Sequence, residues 1–408
     1  MKILFIHCDL PGQFLPFMQC MAESPGWQVY GIYDQQKARV CKLPDSFTLY
    51  GYSVVAQDYA ATHHYVVDLD RSVRRAQAVV RILQKCRAQG IEFDLAVTHT
   101  GWGESLYFKD IYPNTPLIGY AEFFFHAQGA DVGFDPAFPV SLDFQLQVKT
   151  FNAQLLLGLN ECDALISPTA WQKNLFPPRI QADIDVIHEG VDIDIVHPEA
   201  FINFTLPNGV CLSRANQVVT YCARSLEPYR GFPTFIKAVE LICQQHPQCH
   251  IVIVGADEVS YSPPPKSGQS YRQQCVQGLI LPKDRVHFLG TVPYQTYLQI
   301  LQLSSVHIYL TYPFVLSWSF MEAMASECVL ICSATEPVLE LIRDRKNGLL
   351  VDFFDYQAIA DQVDLVFSDP ERMRFLGQQA RQTIMRFYQR KFSLARYQNL
   401  IQTLLSDI

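Results

Sequence analysis

The chain has 408 residues, of which 49% are hydrophobic and 18% charged, a composition that suits two or three folded domains and argues against disorder. Its net charge of −8 gives a nucleic-acid partner no electrostatic support. Its 12 cysteines include no Cys-x-x-Cys pair and no Cys/His cluster at zinc spacing, so we expect reduced thiols and a cytoplasmic protein.

The amino-terminal segment predicts a strand over residues 2–7, then a loop into a helix near 15–22. The apolar run is too short for a signal peptide, and no stretch of about 18 apolar residues occurs, so we expect no membrane span. Gly12 in this loop allows a close backbone approach at the carboxyl end of the strand, where open α/β sheets bind ligands. A plain tight turn explains the same glycine equally well.

A second strand is predicted over Trp27–Tyr33, and a later one, Asp94–His99, ends in polar residues. In the loop that follows it, two glycines flank Trp102, and Glu104 closes the segment. An aromatic side chain between glycines at the carboxyl end of a strand is typical of a wall of a ligand cleft. His99, Trp102 and Glu104 are therefore candidates for a site.

A further strand is predicted over Pro116–Glu122, and it too ends on a carboxylate. An irregular loop rich in aromatic residues follows it and contains His126. Long irregular loops in compact domains are often functional, so this loop also belongs to the candidate site.

The periodicity is lost over residues 193–215, and a fresh series of strands and helices begins at Val218. The repeated βα pattern predicts two doubly wound, Rossmann-like parallel sheets facing each other across a cleft. We expect domains at 1–200 and 201–385, with a last helix, 386–408, packing back on the first domain.

A strand-to-helix crossover is predicted between Val306–Leu310 and a helix over Phe320–Ala325. Ser317 or Ser319 would cap that helix, and its free amides together with the helix dipole suit a phosphate. Glu322, within the first turn, can accept two hydrogen bonds from a ribose diol. A capping serine and a dipole-compensating glutamate in an ordinary βαβ unit explain the same residues without a ligand.

Two arginines lie six residues apart between a strand and a helix of the second half, Arg224 and Arg230. Both are expected at the carboxyl edge of the sheet that carries the crossover. A pair of guanidinium groups there can neutralise a diphosphate leaving group. Two surface arginines, one of them capping a helix, are the alternative.

Together these features resemble the retaining nucleotide-sugar glycosyltransferases of family 4, which have the GT-B fold. The residues that carry the resemblance are Gly190-Val191-Asp192, Arg224, Arg230-Gly231, Glu322-Ala323-Met324-Ala325 and Asn347 to Val351. The resemblance spans most of the chain, and the Glu-Ala-Met-Ala context with the arginine pair is its most specific part.

The resemblance implies a donor site in the second half of the chain. Arg224 and Arg230 would hold the diphosphate, and Glu322 would bind the nucleotide ribose. The other donor-side positions implied are the amides around Ser317, Trp318 and Ser319, a base-contacting loop at Val292, and Gly12 in the acceptor-holding amino domain.

The sequence departs from the family pattern in two places. The family's motif has two glutamates separated by seven residues, and counting back from Glu322 the first position is Phe314. That glutamate normally contacts the transferred sugar, so we interpret the chain as a variant subfamily with a different donor or acceptor. The family also has a histidine where this chain has Glu122, with His126 four residues further on. Either side chain would supply the polar group near the anomeric carbon.

The function implied is transfer of a sugar from a nucleotide diphosphate sugar to an acceptor hydroxyl with retention of configuration, in polysaccharide or glycoconjugate synthesis. The enzyme would be hexosyltransferase-like, with no metal ion or other cofactor. Its partners would be the nucleotide sugar and a saccharide or lipid-linked acceptor, which leaves attachment to the inner membrane surface open. The alternatives are a non-catalytic nucleotide-sugar-binding scaffold and a GT-B nucleotide-sugar epimerase.

Overall fold

The computed structural model describes residues 1–37 and 46–406. The chain forms two compact units, Met1–Gly190 together with Arg390–Ile408, and Val191–Gln389. The eleven cysteines within the described residues form no disulfide. No helix in those same ranges is both long enough and apolar enough to cross a membrane.

The first unit is built on a seven-stranded parallel sheet in the order β3-β2-β1-β4-β5-β6-β7. Its strands are β1 (Lys2–Ile6), β2 (Gln28–Asp34), β3 (Phe47–Tyr52), β4 (Leu95–His99), β5 (Leu117–Tyr120), β6 (Ala164–Ser167) and β7 (Ile184–Val186). The chain winds outward in one direction from β1 to β3 and in the other from β4 to β7. The point where the order reverses, between β1 and β4, is the usual ligand site of such a sheet.

Helices cover both faces of this sheet, as the nearly continuous apolar strands require. They are α1 (Leu15–Glu23), α2 (Val67–Ala88), α3 (Phe108–Ile111), α4 (Leu142–Asn160), α5 (Ala170–Asn174) and α6 (Pro178–Gln181). Alternate residues of β1 enter opposite cores, so that Ile3 and Phe5 pack on the α1 side and Leu4 and Ile6 on the α2 side. The sheet thus has a separate apolar layer on each face.

The second unit contains a six-stranded parallel sheet in the order β12-β11-β10-β13-β14-β15 and a small antiparallel hairpin. The hairpin strands are β8 (Asn203–Thr205) and β9 (Cys211–Ser213). The sheet strands are β10 (Val218–Ser225), β11 (His250–Ala256), β12 (Val286–Gly290), β13 (Val306–Tyr309), β14 (Leu330–Ser333) and β15 (Leu349–Val351). The helices are α7 (Phe232–Gln245), α8 (Tyr271–Cys275), α9 (Tyr294–Leu303), α10 (Trp318–Ala325), α11 (Glu336–Leu339), α12 (Tyr356–Ser368) and α13 (Pro370–Thr383).

The second unit begins at Val191, about ten residues before the boundary expected near residue 200. The Val191 amide donates to the Tyr388 carbonyl at 2.7 Å, and both Val191 and Val196 are buried in the core of the second unit. The segment that lost its periodicity contains the hairpin, whose three-residue strands are too short to show an alternating pattern. The boundary between the units is therefore set by the packing of Val191 and Val196 against the second core, which cannot be read from the local sequence.

The last helix, α14 (Arg390–Ser406), belongs to the first unit. Its Tyr397 ring stacks on Phe17 of α1 with centroids 4.6 Å apart, and Ile401 joins the same core. The chain therefore returns to complete the unit in which it started. Residues 407–408 of the predicted terminal helix lie outside the described ranges.

Candidate functional site

The buried guanidinium of Arg230 is the central feature of the second unit. A 3₁₀ turn, Pro228–Arg230, follows β10 and leads into α7. Arg230 is only 6% exposed, and its Nη1 donates to the Thr311 hydroxyl at 2.7 Å and to the Val315 carbonyl at 3.1 Å. No ion pair between described residues includes Arg230. A buried charge without a partner ion is unfavourable, so this environment suits an anionic ligand.

The start of α10 lies beside this guanidinium. Ser317 caps the helix, which begins at Trp318 and not at Phe320, and its hydroxyl accepts from the Ser319 amide at 3.3 Å. The Tyr309 hydroxyl accepts from the Ser317 amide at 2.9 Å and from Arg230 at 3.4 Å. Arg230 and Ser317 also line one cavity of about 10 Å³. The structure thus brings the predicted arginine and the predicted helix start together.

Glu322 lies one turn into α10 and is half-buried. Its two carboxylate oxygens accept hydrogen bonds from the Tyr294 hydroxyl at 2.7 Å and the Tyr297 hydroxyl at 2.8 Å. Burial, and next the negative charge of Glu322, raise the pKa of Tyr297 well above its ordinary value, which keeps that hydroxyl a donor. A carboxylate has further lone pairs, so a ribose diol can still bind beside the two phenols. Val292 precedes the same helix, α9, and is partly buried against the core.

Arg224 is placed differently from Arg230. It lies near the end of β10 with an exposed side chain that makes no hydrogen bond or ion pair to a described residue. Only Arg230 of the pair is built into the pocket, and a role of Arg224 in holding a diphosphate stays a prediction.

Phe314 occupies the position where the family pattern has its first glutamate, and it packs among aromatic rings. Its ring lies 5.4 Å from Tyr229 and 5.1 Å from Tyr261. The Arg230 guanidinium lies over the rings of Tyr261 and Phe314, with its central carbon 5.4 Å and 5.9 Å from their centroids. Aromatic faces therefore surround this cation where a carboxylate was expected.

In the first unit, polar side chains gather at the point where the strand order reverses. The Gln13 amide donates to Glu122 Oε1 at 2.6 Å, and His99 Nε2 lies 3.3 Å from Glu122 Oε2. The Gly101 amide donates to His99 Nδ1 at 3.1 Å, so the ring carries its proton on Nε2 and donates it to Glu122. Burial raises the pKa of Glu122, but the hydrogen bonds from His99 and Gln13 outweigh that effect and lower it overall. Glu122 is thus held as an ionised hydrogen-bond acceptor.

His7, which the sequence analysis did not single out, lies beneath this cluster. It is 5% exposed, its Nδ1 accepts from the Asp9 amide at 2.8 Å, and its ring meets His99 edge to face at 5.0 Å. Gly12 has a φ of +47°, and a Cβ there would come within 3.0 Å of the His7 ring. The close approach that Gly12 allows is therefore to an imidazole of its own unit. His7 directly follows β1, at the reversal point, and that placement is the signal that would have marked it.

The remaining predicted residues of the first unit contact groups other than Glu122. His126 Nε2 bonds to the Leu175 carbonyl at 2.7 Å. Glu104 is 2% exposed, accepts from the Tyr52 hydroxyl at 2.6 Å, and has its pKa raised by burial. Trp102 is 39% exposed, and its ring lies 5.9 Å from that of His99. The structure thus groups Glu122 with His99 and Gln13 and ties His126 to a different carbonyl.

Both halves of the chain match family models of glycosyltransferases. Residues 25–196 match the glycosyl transferase family 4 group, and residues 212–383 match glycosyl transferases group 1. The chain belongs to the glycosyltransferases. Its sequence is also 33% identical over 89 residues to EpsD of Bacillus subtilis (strain 168), itself provisionally named a glycosyltransferase. That match covers 22% of this chain and 23% of EpsD.

Solved structures show that this glycosyltransferase has the GT-B fold. Sucrose-phosphate synthase from Thermosynechococcus elongatus superposes with a TM-score of 0.71 at 16% identity, with 100% of each chain covered. HepE from Anabaena, in complex with UDP-glucose, superposes with a TM-score of 0.66 at 16% identity and the same complete coverage. At such low identity these likenesses establish the fold alone.

Proposed function

We propose that this glycosyltransferase moves a sugar from a nucleoside diphosphate sugar to an acceptor hydroxyl with retention of anomeric configuration, in polysaccharide or glycoconjugate synthesis. The observation that carries the proposal is Arg230, which is 6% exposed and whose guanidinium forms no ion pair with a carboxylate of the described chain. It lies beside the amino end of α10, where the positive end of the helix dipole also favours a phosphate. The likeness to HepE, whose structure holds UDP-glucose, supports a nucleotide sugar as the donor.

In the proposed reaction the acceptor oxygen bonds to the anomeric carbon on the face that the diphosphate leaves. The electron pair of the broken carbon–oxygen bond goes to the diphosphate, and the acceptor proton passes to one of the diphosphate oxygens. Arg230 and the amides near Ser317 supply positive charge where the negative charge develops. Because these groups belong to the chain itself, we expect a chelator such as EDTA to leave the rate unchanged.

The first unit would bind the acceptor at the reversal point of its sheet. Glu122, held ionised by His99 and Gln13, is a ready acceptor for the hydroxyl groups of a saccharide. A lipid-linked saccharide would present the same hydroxyl groups. Glu122 fits this role better than His126, because the His126 side chain is bonded to a backbone carbonyl.

The test is release of nucleoside diphosphate from UDP-, GDP- and ADP-linked sugars with a panel of saccharide acceptors. Arg230→Met should reduce release by about 100-fold, since a preorganised charge at the leaving group is lost. Glu322→Gln should raise KM for the donor. The matched control is Arg272→Met, because Arg272 also lies over a ring, Phe288 at 4.1 Å, but is half-exposed and 4.0 Å from Asp257.

The alternatives give different results in the same assay. Tight binding without release would point to a nucleotide-sugar-binding scaffold. A donor whose stereochemistry changes without release would point to an epimerase. Failure of every nucleotide sugar to bind would overturn the proposal.

A further inference from the structure

Two aromatic rings, Tyr261 and Phe314, enclose the Arg230 guanidinium of the second unit. Tyr261 is 39% exposed and Phe314 is half-buried, so part of each ring is accessible to solvent. A group covalently attached to a phosphate on Arg230 would lie within reach of both rings, whose centroids are 5.4 Å and 5.9 Å from the guanidinium carbon. The surroundings of the phosphate position are therefore aromatic.

The position of Tyr261 depends on a fully buried carboxylate, Glu227. Its oxygens accept from three consecutive backbone amides, those of Ser260 at 3.1 Å, Tyr261 at 3.0 Å and Ser262 at 2.9 Å. Glu227 is 0% exposed, and charge-assisted bonds to amides in such a place are strong. One side chain between β10 and α7 thus holds a loop more than thirty residues further along the chain.

Two further contacts join the same segments. The Ser225 and Ser260 hydroxyls lie 2.7 Å apart, and the Tyr229 amide donates to the Ser262 hydroxyl at 3.3 Å. These bonds flank the Glu227 carboxylate on both sides along the chain. Replacing the carboxylate by a neutral amide would remove its charge and turn one acceptor oxygen into an NH2 donor, which weakens its bonds to the three amides and loosens residues 260–262.

We infer that Tyr261 and Phe314 bind the transferred group of the donor through their ring faces, and that Glu227 is the positioning residue that holds Tyr261 there. This inference rests on the proposed function, because it takes the Arg230 site as the phosphate site. The class of group that fits is a neutral pyranosyl ring, whose axial C–H bonds form an apolar face suited to an aromatic ring. Such a ring can bind through its apolar face, so no carboxylate beside Arg230 is needed to accept hydrogen bonds from the hydroxyl groups of the sugar.

The experiment compares binding of a nucleoside diphosphate with binding of the matching nucleotide glucose, using UDP, GDP and ADP and taking the pair that binds. Tyr261→Ala should weaken the nucleotide glucose about tenfold, the loss expected for one stacking face, and change the diphosphate alone by less than about twofold. Tyr261→Phe keeps the ring and should behave as the native protein. A loss in Tyr261→Phe equal to that in Tyr261→Ala would show a hydroxyl contact and overturn the aromatic assignment.

Glu227→Gln should reproduce the selective loss of Tyr261→Ala and, in addition, accelerate amide hydrogen exchange at residues 260–262. The control is Glu240→Gln, because Glu240 also accepts from a loop amide, that of Ile280 at 2.7 Å, but does not contact this loop. Faster exchange in Glu227→Gln with no change in the affinity ratio would refute the positioning role. Failure of all diphosphates and nucleotide sugars to bind the native protein would instead overturn the proposed function, and this inference with it.

Discussion

Arg230 affects the stability of the second unit as well as its chemistry. Its buried charge is surrounded only by neutral oxygens and ring faces. Replacing an uncompensated buried ion by an apolar side chain of similar shape is often neutral or stabilising. We expect Arg230→Met to change the free energy of unfolding in urea by less than about 1 kcal/mol. Inorganic pyrophosphate should raise the melting temperature of the native protein, since it binds the folded state, and should lose that effect in the variant.

A structural role for Arg230 predicts a different outcome. If its hydrogen bonds to Thr311 and Val315 hold the α10 region together, Arg230→Met should lower the free energy of unfolding by about 3 kcal/mol or more. Stabilisation by pyrophosphate that persists in the variant would place the anion elsewhere.

The hydrogen bond from His99 to Glu122 gives the first unit a pH dependence. The pKa of Glu122 is lowered in the folded state, so its contribution to stability is present above its unfolded pKa and is lost as the pH falls through the folded pKa. His99→Leu removes a donor that opposes the effect of burial, so the folded pKa of Glu122 should rise. A carbon-detected NMR titration of the Glu122 carboxyl should then show protonation beginning at higher pH.

His126→Leu is the matched control for this titration. It also removes one imidazole, but His126 bonds to the Leu175 carbonyl and is not a partner of Glu122. Its Glu122 titration should overlay that of the native protein. An equal shift in both variants would mean that the net charge of the unit, and not the bond from His99, sets the pKa.

At the scale of elements, the turn from β10 into α7 depends on Gly231. This residue has a φ of +69°, and a Cβ there would overlap the Leu310 side chain of the neighbouring strand end. Gly231→Ala therefore combines left-handed strain with overpacking, and we expect it to lower the free energy of unfolding by about 2–4 kcal/mol. Gly278→Ala is the control, because Gly278 has a φ of +80° but nothing within 4 Å of a Cβ, and it should cost about 1 kcal/mol. Equal losses in urea unfolding of the two variants would show that space at Gly231 does not matter.

The sequence predicts the central strands of both sheets well, because strands buried on both faces are continuous apolar runs, as Leu4 to Ile6 and Ile251 to Val254 are. It does not reveal the edge strand β3 (Phe47–Tyr52), in which only the first and last residues are fully buried. Nor does it reveal partners that meet only through folding. Glu227 meets residues 260–262, and Glu322 meets Tyr294 and Tyr297, across chain separations of 25 to 35 residues.

In the candidate site, too, the sequence predicts what depends on local residues but not what depends on packing. Motif spacing singled out Arg230 and a cap at Ser317 or Ser319, because these residues lie at sheet-to-helix turns, where local sequence fixes the backbone. It could not rank Arg224 against Arg230, since exposure is a property of the packed sheet. It could not choose between Glu122 and His126 either, because the choice depends on His99 and Gln13, which lie on other segments of the chain.

At the scale of the whole molecule, the return of α14 to the first unit predicts that its aromatic residue Tyr397 stabilises the core of that unit. Tyr397 is 3% exposed and stacks on Phe17, in the first unit, although its nearest neighbours in sequence before Arg390 belong to the second. Tyr397→Ala should destabilise the first unit by about 3–5 kcal/mol, the usual loss for a large buried aromatic. Hydrogen exchange measured by mass spectrometry should therefore accelerate across β1, α1 and β2 and stay unchanged across β10, β11 and β13.

Tyr221→Ala is the corresponding variant in the core of the second unit. Tyr221 is 1% exposed and stacks on Phe235 at 4.3 Å, so its loss should accelerate exchange in β10 and α7 and spare the first unit. If Tyr397→Ala accelerated exchange in α14 alone, the last helix would not contribute to the stability of the first unit. If either variant accelerated exchange in both units equally, the two cores would unfold as one, and the assignment of α14 to a separate cooperative unit would fail.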